Sequence, residues 1–168
     1  AERWASSRPV DAPVPTLLHI PSAGHVKGTE HVDAAAGRLQ DAGALRYVRM
    51  QGIPAADMPG LIGNADMVVD QLLVGSYGVA ACEALAAGRV VVGNVDAAVR
   101  DLIRSETGLD VPIVQADPDT IEDVLRGLAA DPERRQEIAA AGPVYVRQVH
   151  SGALTAQVLG GFLGPESE

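Results

Sequence analysis

Short apolar runs alternate with helical segments along most of this chain, and this alternation restricts the fold more than any other feature. Segments with helical periodicity or helix-start signals separate the runs. Apolar strands that alternate with helices form parallel sheets covered on both faces. The sequence therefore predicts an α/β fold with a doubly wound, Rossmann-like parallel sheet of about five strands. The five apolar runs are "TLLHI" (16–20), "LRYVRMQG" (45–52), "DMVVDQLL" (66–73), "RVVVGN" (89–94) and "VPIV" (111–114).

Proline and aspartate mark the boundaries of the predicted domain. Residues 1–15 contain three prolines and no apolar period, so we interpret them as a linker or tail and place the domain at 16–168. Two closing helices each begin with Asp-Pro, at Asp117-Pro118 and Asp131-Pro132. Because proline after an N-cap aspartate is a helix-start signature, Asp117-Pro118-Asp119 is interpreted as a cap rather than as a metal motif. We predict no metal site and no cofactor.

The charge balance excludes some classes of partner. The chain of 168 residues has a formal net charge of −9, whereas phosphate backbones are bound by clustered basic surfaces, so no nucleic-acid partner is expected. No apolar run approaches the roughly 20 residues that span a bilayer, and no signal peptide is visible. A single cysteine, Cys82, fits a reducing compartment. These features predict a cytoplasmic protein with no segment that spans a membrane.

Glycines follow the first three predicted strands, where an open parallel sheet binds its ligands. The loops read "PSAGHVKGT", "QGIP" and "LLVGSYG". Glycine lets a ligand approach the backbone closely and permits positive φ angles. The alternative is that these glycines only make tight turns. The glycines that we consider as ligand contacts are Gly24, Gly52, Gly75 and Gly78.

Lys27 is the only lysine of the chain, and it lies between the first strand and the following helix. A lysine beside free backbone N–H groups forms an anion site, most naturally for phosphate. The alternative is an exposed surface lysine. The stretch Gly75-Ser76-Tyr77-Gly78 repeats this arrangement at the third loop, with amides and a hydroxyl at a second helix start.

Glu83 is the only acid in a predicted helix of Val, Ala, Cys and Leu (77–87). A helix that is apolar on all sides is expected to be buried, and a buried carboxylate needs a partner. The partner is either a set of backbone amides in a neighbouring loop or the two hydroxyls of a ligand ribose. Cys82 has no activating base in the sequence and is interpreted as packing, and His19 as a hydrogen-bonded core histidine.

With these residues collected, the chain resembles the C-terminal domain of GT-B glycosyltransferases, which are built from two Rossmann-like domains. The resemblance extends from Thr16 to the end of the chain. It is carried by "HIPSAGHVKGT", "VVDQLLVGSYGVAACEALAAGRVVV" and "ADPDTIEDVLRGLAADPERRQEIAAAG". Retaining enzymes that use nucleotide-activated sugars are the most similar members. The resemblance implies a single domain that binds a UDP- or GDP-sugar, with the acceptor-binding N-terminal domain absent from this chain.

The resemblance also implies roles for individual residues. Lys27 would hold the diphosphate and act in catalysis, Glu83 would hold the ribose, and Gly52 and Ile53 would contact the base. The remaining expected contacts to the donor are Ser22, Gly24, Gly75, Ser76, Tyr77 and Gly78.

Two positions depart from the family pattern. Many members have an arginine where this chain has Ser22, and a second glutamate where it has Gly75. A non-catalytic interaction domain with a degenerate site is therefore one alternative. A sugar-nucleotide 2-epimerase, which shares the architecture, is another. The apolar stretch 152–163 is expected to form a helix that crosses to the missing domain, or that pairs two chains into a homodimer.

Overall fold

The computed structural model describes residues 2–4, 6, 8–22 and 24–164. Its centre is one sheet of five parallel strands in the order β2-β1-β3-β4-β5. The predicted doubly wound α/β fold is confirmed. The strands are β1 (Thr16–His19), β2 (Arg46–Arg49), β3 (Met67–Val69), β4 (Val90–Gly93) and β5 (Ile113–Gln115).

Helices connect the strands and close the chain. Two short elements were not predicted: a 3-10 turn at Glu2–Trp4 and the single-turn helix α1. In the part of the chain that the structure describes, no helix is both long enough and apolar enough to cross a membrane. The helices are α1 (Gly24–Lys27), α2 (Thr29–Asp41), α3 (Met58–Gly63), α4 (Val79–Ala86), α5 (Ala97–Thr107), α6 (Ile121–Ala130), α7 (Pro132–Val149) and α8 (Ala153–Leu163).

The core lies on both faces of the sheet because neighbouring residues of a strand point to opposite sides. Leu17 and Val90 pack on one face with residues of α2 and α6. Leu18 and Val91 pack on the other face with residues of α4 and α7. The short apolar strands therefore lie between two helical layers, as their continuous hydrophobicity indicates.

Two buried arginines hold the segment that precedes β1 along the amino edge of the sheet. The guanidinium of Arg135 donates to the carbonyls of Val10 and Ala12, at 2.9 and 2.6 Å. Arg89 donates to the carbonyl of Arg8 at 2.6 Å. The boundary between a linker (1–15) and a domain (16–168) stays a prediction, although these contacts anchor residues 8–12 to the sheet.

Helix α4 is less buried than the sequence predicts. Its inner side packs on the sheet and on α7, where a Cβ on Gly142 would lie 2.6 Å from the carbonyl oxygen of Leu85. Its first residue, Val79, is however 74% exposed. The prediction of a helix buried on all sides is wrong because the amino end of α4 reaches past the carboxyl edge of the sheet.

Candidate functional site

The loop after β1 is fixed against the loop after β3. Gly28, with φ +70°, separates α1 from α2, and a Cβ on it would lie 3.2 Å from Leu72 and Leu73 side-chain atoms. The backbone N–H of Leu72 donates to the carbonyl of Lys27 at 3.1 Å. The positive φ and this close approach explain why glycine follows the lysine.

Asp70, one residue beyond β3, connects both loops to α4. Its Oδ1 lies 2.8 Å from Nζ of Lys27, and its Oδ2 accepts a hydrogen bond from the N–H of Gly78 at 3.1 Å. The side chain of Asp70 is 3% exposed. Sequence analysis missed this residue, because the predicted strand ran from 66 to 73 and placed Asp70 inside it, whereas β3 ends at Val69. The ammonium predicted for phosphate is therefore already paired with a carboxylate.

The side chain of Gln71 fixes the conformation of the loop that follows β3. Its side-chain amide donates to the carbonyls of Ser76 and Asn94, the latter at 2.6 Å, and its Oε1 accepts from the N–H of Val74 at 2.7 Å. Gly75, at φ +72°, forms the tight point of the loop. A Cβ there would lie 2.3 to 2.6 Å from the three carboxylate atoms of Asp96, so only glycine fits.

A cavity of about 290 Å³ opens among these loops at the carboxyl edge of the sheet. Val26, Val74 and the ring of Tyr77 form its apolar walls. The structure therefore brings Ser22, Lys27, Ser76, Tyr77 and Gly78 together, as the sequence predicts for one ligand. The polar lining comes from Ser22, Lys27, Asp70, Gln71, Ser76 and Gly78.

Other expected contact residues lie outside this cavity. Gly24 lines a second cavity of about 390 Å³, together with His25, Asp33 and Arg49. Gly75 is buried behind the loop that it shapes.

Gly52 and Ile53 lie in the turn after β2, where Gly52 has φ +66° and free space around its Cα. Their roles as base contacts stay predictions.

Glu83 lies on the second turn of α4 and is half-buried. Burial raises the pKa of its carboxyl group, and the charge of Arg3 partly opposes that shift. Arg3 donates to the carbonyl of Ala55 in the loop after β2, at 2.8 Å. Glu83 is not among the residues that line the cavity, and its role toward a ribose stays a prediction.

Tyr77 connects the third loop to the end of α7. Its hydroxyl lies 2.6 Å from the hydroxyl of Tyr145 and 3.1 Å from Nε2 of His150. The three rings pack edge to face, with centroids 5.6 to 6.5 Å apart. Burial raises the pKa of both tyrosines and lowers that of His150, so at neutral pH the cluster is uncharged.

His19 and Cys82 support the site without entering the cavity. The Nδ1–H of His19 donates to the carbonyl of Val69 at 3.0 Å, and Nε2 accepts from Oγ1 of Thr29 at 2.9 Å. His19 is therefore the hydrogen-bonded core histidine that the sequence predicts. Burial and the nearby charge of Asp70 raise the pKa of Cys82 to about 11, so its thiol is protonated at neutral pH and is a poor nucleophile.

The remaining acids that the sequence singled out, Asp117, Asp119 and Asp131, belong to a turn and to a helix start. Among the described residues, no group of three or more His, Cys, Asp or Glu side chains could hold a metal ion. Oδ1 of Asp117 accepts from the N–H groups of Asp119 and Thr120, and Oδ1 of Asp131 caps α7 through the N–H of Arg134. The interpretation of Asp131-Pro132 as a helix start is confirmed, whereas Asp117-Pro118 lies in a turn that precedes α6, which begins at Ile121 with Thr120 as its N-cap.

A scan against protein-family models and a search of curated proteins found no match for this chain. Solved structures do match. The C-terminal domain of a group 1 glycosyl transferase (LpcC) from Francisella tularensis has a TM-score of 0.58 and 16% identity, and the match covers 89% of this chain and 96% of that one. The fold is that of a GT-B glycosyltransferase C-terminal domain.

Two longer proteins match over about half their length. Anabaena Alr3699/HepE, solved in complex with UDP and glucose, has a TM-score of 0.68 at 13% identity, covering 96% of this chain and 54% of that one. Sucrose-phosphate synthase from Thermosynechococcus elongatus has a TM-score of 0.66 at 17% identity, covering 96% and 49%. The chain thus corresponds to one Rossmann-like half of such proteins.

Proposed function

We propose that this chain is the donor-binding domain of a glycosyltransferase that takes a sugar from a UDP- or GDP-sugar. The observation that carries the proposal is the cavity at the carboxyl edge, where the only lysine of the chain meets the N-terminal amides of α4. One ammonium and oriented N–H groups are the chemistry that a diphosphate needs. The GT-B fold and a structural neighbour that holds UDP and glucose support the same ligand class.

In this proposal, the donor contacts three groups of residues. The diphosphate would lie against Lys27 and the N–H groups of Ser76 to Gly78, and the nucleoside would extend toward Glu83 and the turn at Gly52 and Ile53. Ser22 would add a hydroxyl to the diphosphate side. The sugar would then face Val74 and the open side of the cavity, toward the acceptor.

The reaction follows from where charge develops. When the sugar–phosphate bond breaks, the leaving nucleoside diphosphate gains negative charge at its terminal phosphate. Lys27 and the α4 amides would stabilise that charge without a metal. We further propose that transfer proceeds with retention at the anomeric carbon and that a second, N-terminal domain supplies the acceptor site. The predicted cytoplasmic location and the homodimer through α8 stay predictions.

Isothermal titration calorimetry of the 168-residue chain with UDP-, GDP- and dTDP-sugars tests the proposal. We expect one series to bind. Lys27→Met should weaken that binding by about 10- to 100-fold, since hydrogen bonds to charged groups contribute about 1.5–3 kcal/mol. Arg46→Met, which removes an exposed charge at the amino end of β2, is the matched control and should leave the affinity unchanged.

Glu83 is tested in the same assay by Glu83→Gln, with the exposed Glu133→Gln on α7 as the control. A ribose contact predicts clearly weaker binding for Glu83→Gln alone. Absence of heat with every donor at millimolar concentration would instead favour the non-catalytic interaction domain, an alternative that the Lys27–Asp70 ion pair also supports. Formation of a 2-epimer from UDP-N-acetylhexosamines by the full-length protein would favour the epimerase.

A further inference from the structure

Asp70 already holds the two groups that the diphosphate is proposed to use. Its carboxylate takes the ammonium of Lys27 with one oxygen, at 2.8 Å, and the amide of Gly78 with the other, at 3.1 Å. Two oxygens of one phosphate would make the same pair of contacts. The carboxylate therefore resembles a bound ligand that is part of the chain.

Asp70 is held by the sheet and is almost completely buried. It directly follows β3, its side chain is 3% exposed, and its backbone N–H donates to the carbonyl of Val92 at 3.0 Å. The side chain of Lys27, in contrast, is 17% exposed and lines the cavity. A diphosphate that contacts Lys27 must then lie beside a fixed negative charge.

Repulsion from that charge depends on how much charge the ligand carries. A terminal phosphate carries about −1.5 to −2 charges at neutral pH, whereas a phosphate esterified to a sugar carries about −1. The free nucleoside diphosphate is therefore more negative than the nucleotide sugar at the end that lies nearest Lys27. At an effective dielectric constant near 20, half a charge at about 6 Å changes binding by about tenfold.

We propose that Asp70 is a specificity-determining residue that disfavours the released nucleoside diphosphate relative to the nucleotide sugar. The proposal rests on the proposed function and names a property of the same site. Asp70 orders Lys27 and the α4 amide before the donor binds, and its charge promotes release of the more negative product. The carboxylate of Asp70, which lines the cavity, thereby distinguishes the substrate from the product by the difference in their charge.

Asp70→Asn isolates this charge because asparagine keeps the shape and one oxygen acceptor. The control is Asp41→Asn, which removes the same charge from the exposed end of α2 at the amino edge. Both variants and the wild-type chain are titrated by calorimetry with UDP and UDP-glucose, and with GDP and GDP-mannose, in EDTA. Asp70→Ser, which is also neutral, repeats the comparison if the asparagine variant does not fold by circular dichroism.

We expect Asp70→Asn to raise the affinity for the nucleoside diphosphate relative to that for the nucleotide sugar by about three- to tenfold. Asp41→Asn should leave that ratio unchanged. An unchanged ratio in both Asp70 variants, or equal weakening of both ligands, would overturn the proposal while the proposed function stands. A requirement for Mg²⁺ would also overturn it, since Asp70 would then hold a metal.

Inorganic pyrophosphate separates failure of this proposal from failure of the proposed function. If the wild-type chain binds no nucleotide but Asp70→Asn binds pyrophosphate more tightly than the wild type, the charge competition holds and the donor assignment fails. If no variant binds pyrophosphate or any nucleotide, both fail.

Discussion

Charged side chains have different surroundings at the amino edge and at the carboxyl edge of the sheet. At the amino edge, the fully buried guanidinium of Arg135 donates to four backbone carbonyls. At the carboxyl edge, Lys27 has a single carboxylate partner, Asp70, and borders an open cavity. The first arrangement leaves the charged side chain no room for a ligand, whereas the second leaves the ammonium accessible from the cavity while Asp70 stays beside it. We therefore expect the amino edge to contribute mainly to stability and the carboxyl edge to contribute mainly to binding.

Four of the exposed apolar side chains lie around the cavity. Val26, Leu73, Val74 and Val79 are between 43% and 74% exposed, and all four belong to the loops and the helix start around the cavity. Apolar surface left open beside polar groups is typical of a binding surface rather than of a stable exterior. We therefore expect substitutions at the two edges to separate stability from affinity.

The largest effect on stability is expected at the amino edge. Arg135→Met should lower the free energy of unfolding by about 3–5 kcal/mol, because it leaves the carbonyls of Val10, Ala12, Leu128 and Ala129 without their donor. Urea unfolding measures this change. Arg126→Met, at an exposed ion pair on α6, is the control and should change stability by about 0.5 kcal/mol. A loss below 1 kcal/mol for Arg135→Met would show that the amino edge does not depend on its arginine.

A smaller effect on stability is expected at the carboxyl edge, from Gly75→Ala. The new Cβ would collide with the carboxylate of Asp96 at a backbone φ of +72°, so we expect a loss of about 2–3 kcal/mol together with lost donor binding. Gly52→Ala has φ +66° but free space, and should cost only about 1–2 kcal/mol. Adding Asp96→Gly to Gly75→Ala should reduce its cost to that of Gly52→Ala. Equal costs for the two single variants would remove the collision from the explanation.

The smallest effect is a pH dependence that arises from His19. Burial lowers the pKa of His19, and the charges of Lys27, Asp33 and Arg49 also act on it. Its folded pKa is thus below the unfolded value of about 6.5, so its contribution is complete at higher pH and is lost as pH falls below 6.5. The loss is at most about 1.4 kcal/mol per pH unit. Between pH 7 and 5, the free energy of unfolding should therefore fall more steeply with decreasing pH for the wild type than for His19→Gln. Parallel plots of this free energy against pH for the two proteins would contradict the prediction.

Much of the fold could be predicted from the sequence because the signals are local. Alternating apolar runs and helical segments gave the five strands and their parallel arrangement. Asp131 marked the start of α7 through capping, which depends on the next three residues only, whereas Asp117 marked only the turn before α6. Strand ends were less accurate, since "DMVVDQLL" is a strand only at Met67–Val69 and then turns into the loop of the site.

The site was predicted less completely because its contacts join distant segments. Lys27 and Asp70 are 43 residues apart, and no spacing rule connects them. The pairing of Tyr77 with Tyr145, 68 residues away, was equally invisible. Gly75 could be identified as a turn glycine, but only the structure shows that the carboxylate of Asp96 fills the space of its side chain.

Because Lys27 is the only lysine of the sequence, chemical labelling of its amine can report whether a ligand occupies the cavity. Reagents that acylate primary amines have one side-chain target in the sequence, the ε-amine of Lys27. The side chain of Lys27 is 17% exposed and lines the cavity, so a ligand bound there would cover the amine. The rate at which a mass tag accumulates on Lys27 therefore records, without any engineered label, whether that amine is engaged.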